Sequence, residues 1–421
     1  MLNRTKLFLI LFPVALAPAI ACGGSLPASP ATGTPPAPSP QITIEAEIPP
    51  SVWYLTRGGP KLDEGWGVDV DSEGNIYFAT FQQAPGDFFA DMVIYKIAPD
   101  GTEIWHTRWG GKFMEKAFLV TVREPYAYVG GLTNNSVNPT DADMAVLALN
   151  TDDGSLVWDF TWGQGVGYEE VDGLVAEDDA IYLSGWTTGK TTGNDVAILK
   201  LDREGKLIWE NSWGGNGWDE GDGQLVVDAD SLYVAGRYNG VNLLGGQGLI
   251  VRFDKSTGNE RNHVTWGGPI FTDALGMTSD GTYLYATGLT LDTGNGGQIF
   301  LRKYDKNLNL IWEQIWGGKG SESARAVAVS PNGEIYIAGK SDNNSSGGLD
   351  IALLRYDQDG NLVWARTWGG PQNEGAFGIV WNGNAIFIAG NTKSLGQGQD
   401  DAILIKVDAE TGDFPPFERS N

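Results

Sequence analysis

The sequence contains little cysteine, little histidine and few basic residues. Its 421 residues include one Cys, two His and five Met. A single cysteine excludes an internal disulfide framework, and so few cysteines and histidines exclude a zinc cluster. The 28 Lys and Arg residues are outnumbered by 53 Asp and Glu, which gives a formal net charge of −25. Because no basic patch is available to neutralise phosphates, this balance argues against nucleic acid as a partner.

Glycine, proline and aromatic residues are abundant instead. The 59 Gly and 20 Pro would break the helices of a bundle or a coiled coil. The 16 Trp, 14 Tyr and 16 Phe are too many for a disordered chain. No stretch predicts a helix of useful length, so the composition favours an all-β protein.

The first 21 residues have the pattern of a secretory signal peptide. Arg4 and Lys6 precede an apolar run over 7–20, and small residues stand at Ala19 and Ala21. This is the order of a basic region, an apolar region and a cleavage site. The apolar run is too short for a comfortable membrane span.

The cysteine directly after this cleavage site predicts a lipid anchor. The sequence around Cys22 resembles the lipobox of bacterial lipoproteins, although Ala19 stands where that motif most often has Leu. The resemblance implies a lipidated Cys22, followed by a Pro-rich tether over 22–50. The protein would then be exported and held on a membrane, facing the periplasm or the cell exterior, through the lipid alone. The alternative is ordinary cleavage and a freely secreted protein.

From residue 51 onward the chain repeats a Trp-Gly-Gly marker about every 52 residues. The seven markers begin at Arg57, Trp109, Trp162, Trp213, Trp266, Trp316 and Trp368. Seven equal units leave no room for separate domains, and a period near 50 with strand-like content indicates a propeller or an array.

Alternation of apolar and polar residues predicts four strands in each unit. In the sixth unit these are Ala324–Val329, Glu334–Ala338, Asp350–Tyr356 and Leu362–Trp368. The last unit lacks a fourth strand, whereas residues 51–57 before the first unit read like one. We therefore predict that 51–421 form a seven-bladed β-propeller with four antiparallel strands per blade. The N-terminal strand would complete the last blade and close the ring.

Tryptophans recur four residues apart, as in Trp105 and Trp109 or Trp364 and Trp368. Residues i and i+4 of a strand face the same side. This regular recurrence favours packing between blades over stacking platforms for sugars.

Two family resemblances are visible. The segments 334–339 (Glu-Ile-Tyr-Ile-Ala-Gly) and 350–357, with the Trp-Gly-Gly marker, resemble the SBBP repeats of seven-bladed surface propellers. This resemblance covers 51–421 and implies a fold but no particular function. Residues 150–158 are similar to an element of quinoprotein-type propellers, mostly eight-bladed, which include dehydrogenases and a non-enzymatic outer-membrane assembly lipoprotein. Seven units and the marker favour the first resemblance.

An acidic residue follows each marker at the expected start of the innermost strand. These residues are Glu64, Glu115, Glu169, Glu220, Asp273, Glu322 and Glu374. An axial ring of carboxylates could hold Ca²⁺ or another ligand, could serve catalysis, or could accept backbone N–H groups from its own turns. No other cofactor is expected. A second series begins each third strand, Asp91, Asp143, Asp195, Gln247, Gln298, Asp350 and Asp401, and predicts hydrogen bonding within loops.

Aromatic residues that the repeat does not require mark a candidate ligand face. They are Phe88, Phe89, Phe113, Trp186, Trp218, Tyr238 and Phe271, all expected on the face that carries the long loops. His106 and His263 lie on fourth strands, and no Ser or Cys has a catalytic partner. We expect a monomeric, non-catalytic module that binds an extracytoplasmic protein or polysaccharide. The alternatives are a propeller enzyme, glycan-active or a quinone-type oxidoreductase, and a purely structural envelope-assembly protein.

Overall fold

The computed structural model describes residues 52–84, 86–134, 141–163, 167–188, 193–239, 245–267, 270–291 and 296–417. By its internal contacts the chain divides into two units, Met1–Ile48 and Pro49–Asn421, and every described residue belongs to the second. The signal peptide over 1–21, the lipidated Cys22 and the tether over 22–50 lie outside the described residues and remain predictions.

The described residues form 28 strands in seven four-stranded antiparallel sheets. The first three blades are β2 (Asp63–Val70), β3 (Ile76–Gln82), β4 (Asp91–Ile97), β5 (Glu103–Trp109); β6 (Glu115–Arg123), β7 (Tyr126–Asn134), β8 (Ala142–Asn150), β9 (Leu156–Trp162); and β10 (Glu170–Ala176), β11 (Ile181–Thr188), β12 (Asn194–Leu201), β13 (Leu207–Trp213). The next three are β14 (Leu225–Val227), β15 (Ser231–Tyr238), β16 (Gln247–Asp254), β17 (Glu260–Trp266); β18 (Phe271–Ser279), β19 (Tyr283–Leu291), β20 (Gly297–Asp305), β21 (Leu310–Trp316); and β22 (Ser323–Val329), β23 (Ile335–Ser341), β24 (Asp350–Tyr356), β25 (Leu362–Trp368). The seventh combines β26 (Glu374–Asn382), β27 (Ala385–Thr392) and β28 (Asp401–Asp408) with β1 (Trp53–Arg57).

The N-terminal strand closes the ring, as predicted. β1 pairs with β28 in antiparallel register, with Trp53 opposite Lys406 and Arg57 opposite Ala402. The innermost strand of the first blade packs against those of the second and seventh blades. The seven-bladed propeller is therefore confirmed, and the N-terminal strand supplies the fourth strand of the seventh sheet.

Strand limits in the sixth blade agree closely with the sequence pattern. The third and fourth strands have the predicted bounds, while the first begins one residue earlier, at Ser323. The second runs from Ile335 to Ser341, one residue later at its start and three longer at its end. The buried faces of neighbouring blades form a chain of apolar clusters around the ring.

Recurring tryptophans join one blade to the next at four of the seven junctions. Trp53, Trp105, Trp158 and Trp364 each donate the indole N–H to a backbone carbonyl of the following blade. The acceptors are Pro99, Thr151, Arg203 and Glu410, at 3.3, 3.2, 3.0 and 3.0 Å respectively. Because each ring also buries apolar area between two sheets, the predicted packing role between blades is confirmed.

Candidate functional site

One face of the propeller carries the longer connections. These are the segments between the second and third strands and those that lead from an outermost strand to the next innermost one, such as 83–90 and 110–114. We call this the loop-bearing face. The opposite face carries tight turns such as Asp71–Asn75, in which Asp71 accepts backbone N–H groups from Glu73 and Asn75.

The first glycine of the marker packs against the residue that begins the third strand of the same blade, such as Asp91 or Asp350. A Cβ atom on Gly110 would overlap the carboxylate of Asp91, and one on Gly369 would overlap that of Asp350. Asp350 also holds its loop, because it accepts from the Ser346 N–H at 2.9 Å, whereas Asp91 accepts from Arg108 of the neighbouring strand β5 at 2.7 Å. The close approach of turn and carboxylate explains why the marker requires glycine.

Three of the seven acids after the markers are buried and accept a hydrogen bond from their own turn, and a fourth is buried as well. Glu115, Glu322 and Glu374 accept the backbone N–H of Gly111, Gly318 and Gly370 at 3.1, 3.1 and 2.8 Å. The fourth, Glu169, accepts from the hydroxyl of Thr187 at 2.8 Å. Burial raises the pKa of Glu115 and Glu169. Glu115, Glu322 and Glu374 therefore hold their turns, and Glu169 is tied to the second strand of its blade.

The other three acids stand one residue further along the chain. Asp63 and Asp219 occupy the turn position in the first and fourth blades, accepting from Gly59 at 2.7 Å and Gly215 at 2.9 Å. Successive residues of a strand face opposite sides. Their neighbours Glu64 and Glu220, with Asp273 in the fifth blade, therefore face the axis. The seven predicted acids do not form one ring.

The axial mouth mixes charges of both signs. Glu64 accepts from Trp66 Nε1 at 2.9 Å, and burial raises its pKa. Arg237 forms ion pairs with Glu220 and, at 3.6 Å, with Asp273. In the third blade the sequence pattern singled out Glu169, but it is the next residue, Glu170, that accepts from Trp186 Nε1, at 3.0 Å, and lies at the mouth.

Below the mouth, each blade places one side chain on the axis. The register of the innermost strand shifts at this point in six blades, which indicates a β-bulge. The seven axial residues are Trp66, Phe118, Asp172, Asp222, Leu275, Arg325 and Phe377, and they line one cavity of about 30 Å³. We call this set the axial ring. A second cavity of about 220 Å³ adjoins it and is lined by Asp69, Leu174 and Met277 among others.

The axial ring has an aromatic side and an acidic side. Trp66 stacks on Phe377 with centroids 4.4 Å apart, contacts Phe118 at 5.1 Å, and carries the Arg325 guanidinium 4.9 Å above its ring. Asp172 and Asp222 lie on the acidic side. Burial and the neighbouring carboxylates of Glu170 and Asp273 hold the pKa of both aspartates well above the ordinary value.

The seven candidate aromatics differ in exposure. Phe88 and Trp218 are exposed, at 91% and 48%. The other five are partly covered: Phe89 and Phe113 contact each other at 6.2 Å, Trp186 stacks on Tyr168 at 5.0 Å, Tyr238 packs on Trp213 at 6.0 Å, and Phe271 lies under Arg237 at 5.5 Å. Tyr168 was missed from the sequence, where a lone tyrosine after a marker gave no signal.

Three of these aromatics surround a pocket on the loop-bearing face. Phe88, Phe89 and Phe113 line a cavity of about 360 Å³ together with Asp87, Asp91 and Lys112. One wall comes from the loop between β3 and β4, and the other comes from the turn between β5 and β6. We call this the phenylalanine pocket. It has a size typical of a ligand or side-chain site.

The two histidines lie away from the loop-bearing face. His106 and His263 lie on outermost strands and pair with Glu103 and Glu260 at 2.8 and 2.6 Å. Within the described ranges no three His, Cys, Asp or Glu side chains are placed to hold one metal ion. The expectation that Ca²⁺ binds thus stays an untested prediction. No helix in the described part of the chain has the length and apolar character needed to cross a bilayer.

Similar structures and a curated relative are distant. Regulatory protein FlaEY of Caulobacter vibrioides is 26% identical over 216 residues, 48% of this chain and 18% of that protein, so this chain spans less than a fifth of that relative. The WD40 domain of Neurospora crassa Pan2 superposes with a TM-score of 0.52 at 10% identity, over 82% of this chain and 89% of that one. This likeness shows the fold alone. A quinohemoprotein alcohol dehydrogenase of Comamonas testosteroni reaches a TM-score of 0.47 at 8% identity, over 88% and 78% of the two chains, which supports no argument.

The family match is more informative. Residues 194–413 match the family described as outer membrane protein assembly factor BamB, and this stretch is just over half of the 421 residues. Of the two resemblances, the match supports the one carried by residues 150–158, which the blade count had placed second, while the SBBP resemblance remains a prediction. The chain belongs to the outer membrane protein assembly factor BamB family of β-propellers.

Proposed function

We propose that this protein is an exported, non-catalytic interaction propeller of the cell envelope. It binds another extracytoplasmic protein through the phenylalanine pocket on its loop-bearing face. Membership of a family described as an outer-membrane assembly factor supports the envelope setting. The predicted signal peptide and Cys22 support export and a lipid anchor.

The observation that carries the proposal is the exposure of Phe88. Its side chain is 91% exposed, the highest value among the exposed large apolar residues of the described chain. The propeller does not need this residue, because the repeat has no aromatic at this position in other blades. A solvent-exposed phenyl ring beside a partly apolar pocket fits the apolar anchors found at the centres of protein interfaces.

The lining of the pocket favours a protein over a polysaccharide. Three phenyl rings offer apolar area without the polar handle that Tyr or Trp would add. Asp87, Asp91 and Lys112 lie around these rings, which gives a polar rim around an apolar centre. That arrangement is typical of interfaces between proteins.

Site-specific photo-crosslinking in native cells tests this proposal. A photoreactive phenylalanine analogue replaces Phe88, and a matched chain carries it at Ile208, which is 52% exposed on the outermost strand of the third blade. We expect one dominant protein adduct from position 88 and none from position 208. The adduct should disappear when Phe89→Ala and Phe113→Ala are added, because these remove the pocket wall.

The other outcomes are equally informative. Equal capture from both positions would show non-specific contact and contradict the proposal. A product that contains polysaccharide instead of protein would move the function to glycan binding. If neither a protein adduct nor a polysaccharide adduct forms, the purely structural envelope-assembly role is favoured.

A further inference from the structure

The C-terminal segment of the chain packs on a marker tryptophan and shows what such a residue can bind. Residues 413–417 read Asp-Phe-Pro-Pro-Phe. Trp368, at the end of β25, donates its indole N–H to Pro415 O at 2.8 Å. The rings of Phe414 and Phe417 lie against this indole, with centroids 6.1 and 5.0 Å away. The sixth blade therefore carries a groove that is filled by an aromatic–Pro–Pro–aromatic segment.

The two prolines explain why this kind of segment suits a narrow groove. Successive prolines hold the backbone in the extended polyproline II conformation. Because the free segment already has this conformation, it loses little conformational entropy when an aromatic-lined groove binds it. Proline has no N–H group, and its carbonyl oxygen can accept a hydrogen bond from a tryptophan, whose indole N–H is a donor only.

The blades differ in the residue that faces each marker tryptophan from the next blade. Trp162 donates its indole N–H to Glu210, and Trp213 packs on His263 with centroids 5.0 Å apart. Both partners stand three positions before the marker tryptophan of their own blade. The side chain at this position therefore decides whether the groove beside a marker tryptophan is filled.

The groove beside Trp316 in the fifth blade is open. The facing position there is Ala365, and both residues lie at the edge of one apolar cluster. Trp316 Nε1 has no hydrogen-bond partner among the described residues. A Cβ atom on Gly318 would meet no described atom within 4 Å, whereas one on the equivalent Gly370 would meet the ring of Phe417. The place that Phe417 fills in the sixth blade is therefore accessible in the fifth.

The charge beside this groove suits the same kind of segment. Lys319 follows Gly318 directly, is exposed, and forms no ion pair within the part of the chain that the structure describes. In the sequence of the C-terminal segment an acid, Glu418, follows the second phenylalanine. A segment of the same pattern would bring its acid to the turn that carries Lys319, and such complementary charges favour association.

We propose that the groove lined by Trp316, Gly318 and Ala365 binds an aromatic–Pro–Pro–aromatic–acid segment of another protein. Trp316 Nε1 donates to the carbonyl of the first proline, as Trp368 Nε1 does to Pro415. The two aromatic rings of the segment pack against the indole. This groove lies between the outermost strands β21 and β25, so it is separate from the phenylalanine pocket and does not depend on the function proposed for that pocket.

Calorimetric titration of the exported full chain with the peptide acetyl-Asp-Phe-Pro-Pro-Phe-Glu-amide tests the proposal. We expect one saturable site, with affinity at least about tenfold weaker in Ala365→Asp, because a carboxylate would occupy the apolar groove. The second blade has Asp159 at the equivalent position, so the fold accepts an acid there, and the melting temperature checks this. Ala229→Asp, which makes the same charge change on an exposed tight turn, is the matched control and should leave the affinity unchanged.

A second variant tests the hydrogen bond itself. Trp316→Phe keeps an aromatic ring but removes the N–H donor, and it should weaken binding roughly three- to tenfold, as expected for the loss of one hydrogen bond. A peptide with alanine in place of both phenylalanines should not bind.

Several outcomes would overturn the proposal. They are the absence of saturable binding, equal binding of the alanine peptide, and affinity that both Ala365→Asp and Trp316→Phe leave unchanged, since the peptide would then bind elsewhere. Sedimentation velocity without peptide identifies the source of the segment. A monomer at micromolar concentration supports a segment of another protein. Self-association that Ala365→Asp abolishes would overturn that assignment in favour of the C-terminal segment of a second copy.

Discussion

Closure of the ring by β1 predicts that Trp53 is among the most costly side chains to remove. Trp53 is 9% exposed, contacts Phe387 with centroids 6.0 Å apart, and donates its indole N–H to Pro99 O of the first blade. It therefore joins the seventh blade to the first at the one seam where the ends of the chain meet.

The magnitude follows from the buried area. A buried Trp removes roughly 150–250 Å² from water, which at about 25 cal/mol per Å² gives roughly 4–6 kcal/mol as an upper bound. Substitutions of buried Trp by Ala cost about 3–5 kcal/mol in other proteins. We expect Trp53→Ala to lower the free energy of unfolding by about 3–5 kcal/mol and to free the N-terminal strand for proteolysis.

Urea unfolding followed by circular dichroism measures this loss, with reversibility checked because a protein of this size need not unfold in two states. Trp218→Ala is the matched control: the same residue type, 48% exposed, with an expected loss below about 1 kcal/mol. If both variants lose the same stability, β1 does not hold the ring closed. The same conclusion would follow from a deletion of 51–57 that melts like the parent.

Three further predictions concern a buried acid, a marker glycine and the anchor. Burial raises the pKa of Asp69 to about 6, against about 3.9 in an unfolded chain. The folded state therefore holds a proton that the unfolded state has lost, and stability should fall by at most about 3 kcal/mol between pH 4 and 6. Urea unfolding at both pH values should show a smaller loss of stability in Asp69→Asn than in the parent, because other buried carboxyls with raised pKa values, such as Glu115, keep their own share; an unchanged loss would show that Asp69 does not titrate in this range. Gly369→Ala should lower the melting temperature because its Cβ overlaps Asp350, whereas Gly318→Ala, at a second marker glycine with open space around it and no positive φ, is the matched control and should change it little. Metabolic labelling with palmitate should label the parent protein but not the Cys22→Ser variant. An unlabelled parent would contradict the lipid anchor and favour a freely secreted protein.

The fold was predictable because the repeat reports it seven times. Trp53 lies five residues before Gly58, as Trp105 lies five before Gly110. This offset indicates that residues 51–57 are a displaced fourth strand, and β1 pairs with β28 accordingly. Turn residues with a positive φ, such as Gly333 at 83°, set the strand limits of the sixth blade. Errors there are confined to strand ends, where pairing stops gradually.

The acids were harder to place because an error of one residue reverses the side of a strand. Asp63 and Glu64 are neighbours, as are Asp219 and Glu220, and in each pair the first holds the turn while the second faces the axis. Counting positions from the second glycine of the marker separates the two members of each pair. The residue that holds the turn stands four positions after the second marker glycine in the first, second, fourth, sixth and seventh units.

The same count locates the axial ring, three residues after each turn acceptor. A search for a shared residue type could not have found the axial ring, because this position has no residue type common to the seven units. Trp, Phe, Asp, Asp, Leu, Arg and Phe occupy it in turn, whereas the marker glycine and the turn acceptor vary little. A position that the backbone requires would show one residue type in all seven blades, as the marker glycine does.

This variation bears on function because burial of charge is unfavourable for folding. Leu275 shows that a plain apolar side chain fits the axial ring, yet Asp172 and Asp222 stand at the same place two and one blades away. Their pKa values are raised by burial, so each ionised carboxylate destabilises the folded chain. Leucine at both positions would remove that penalty. The acids therefore serve something other than stability, and the loops and the axis are where this chain differs from a bare repeat.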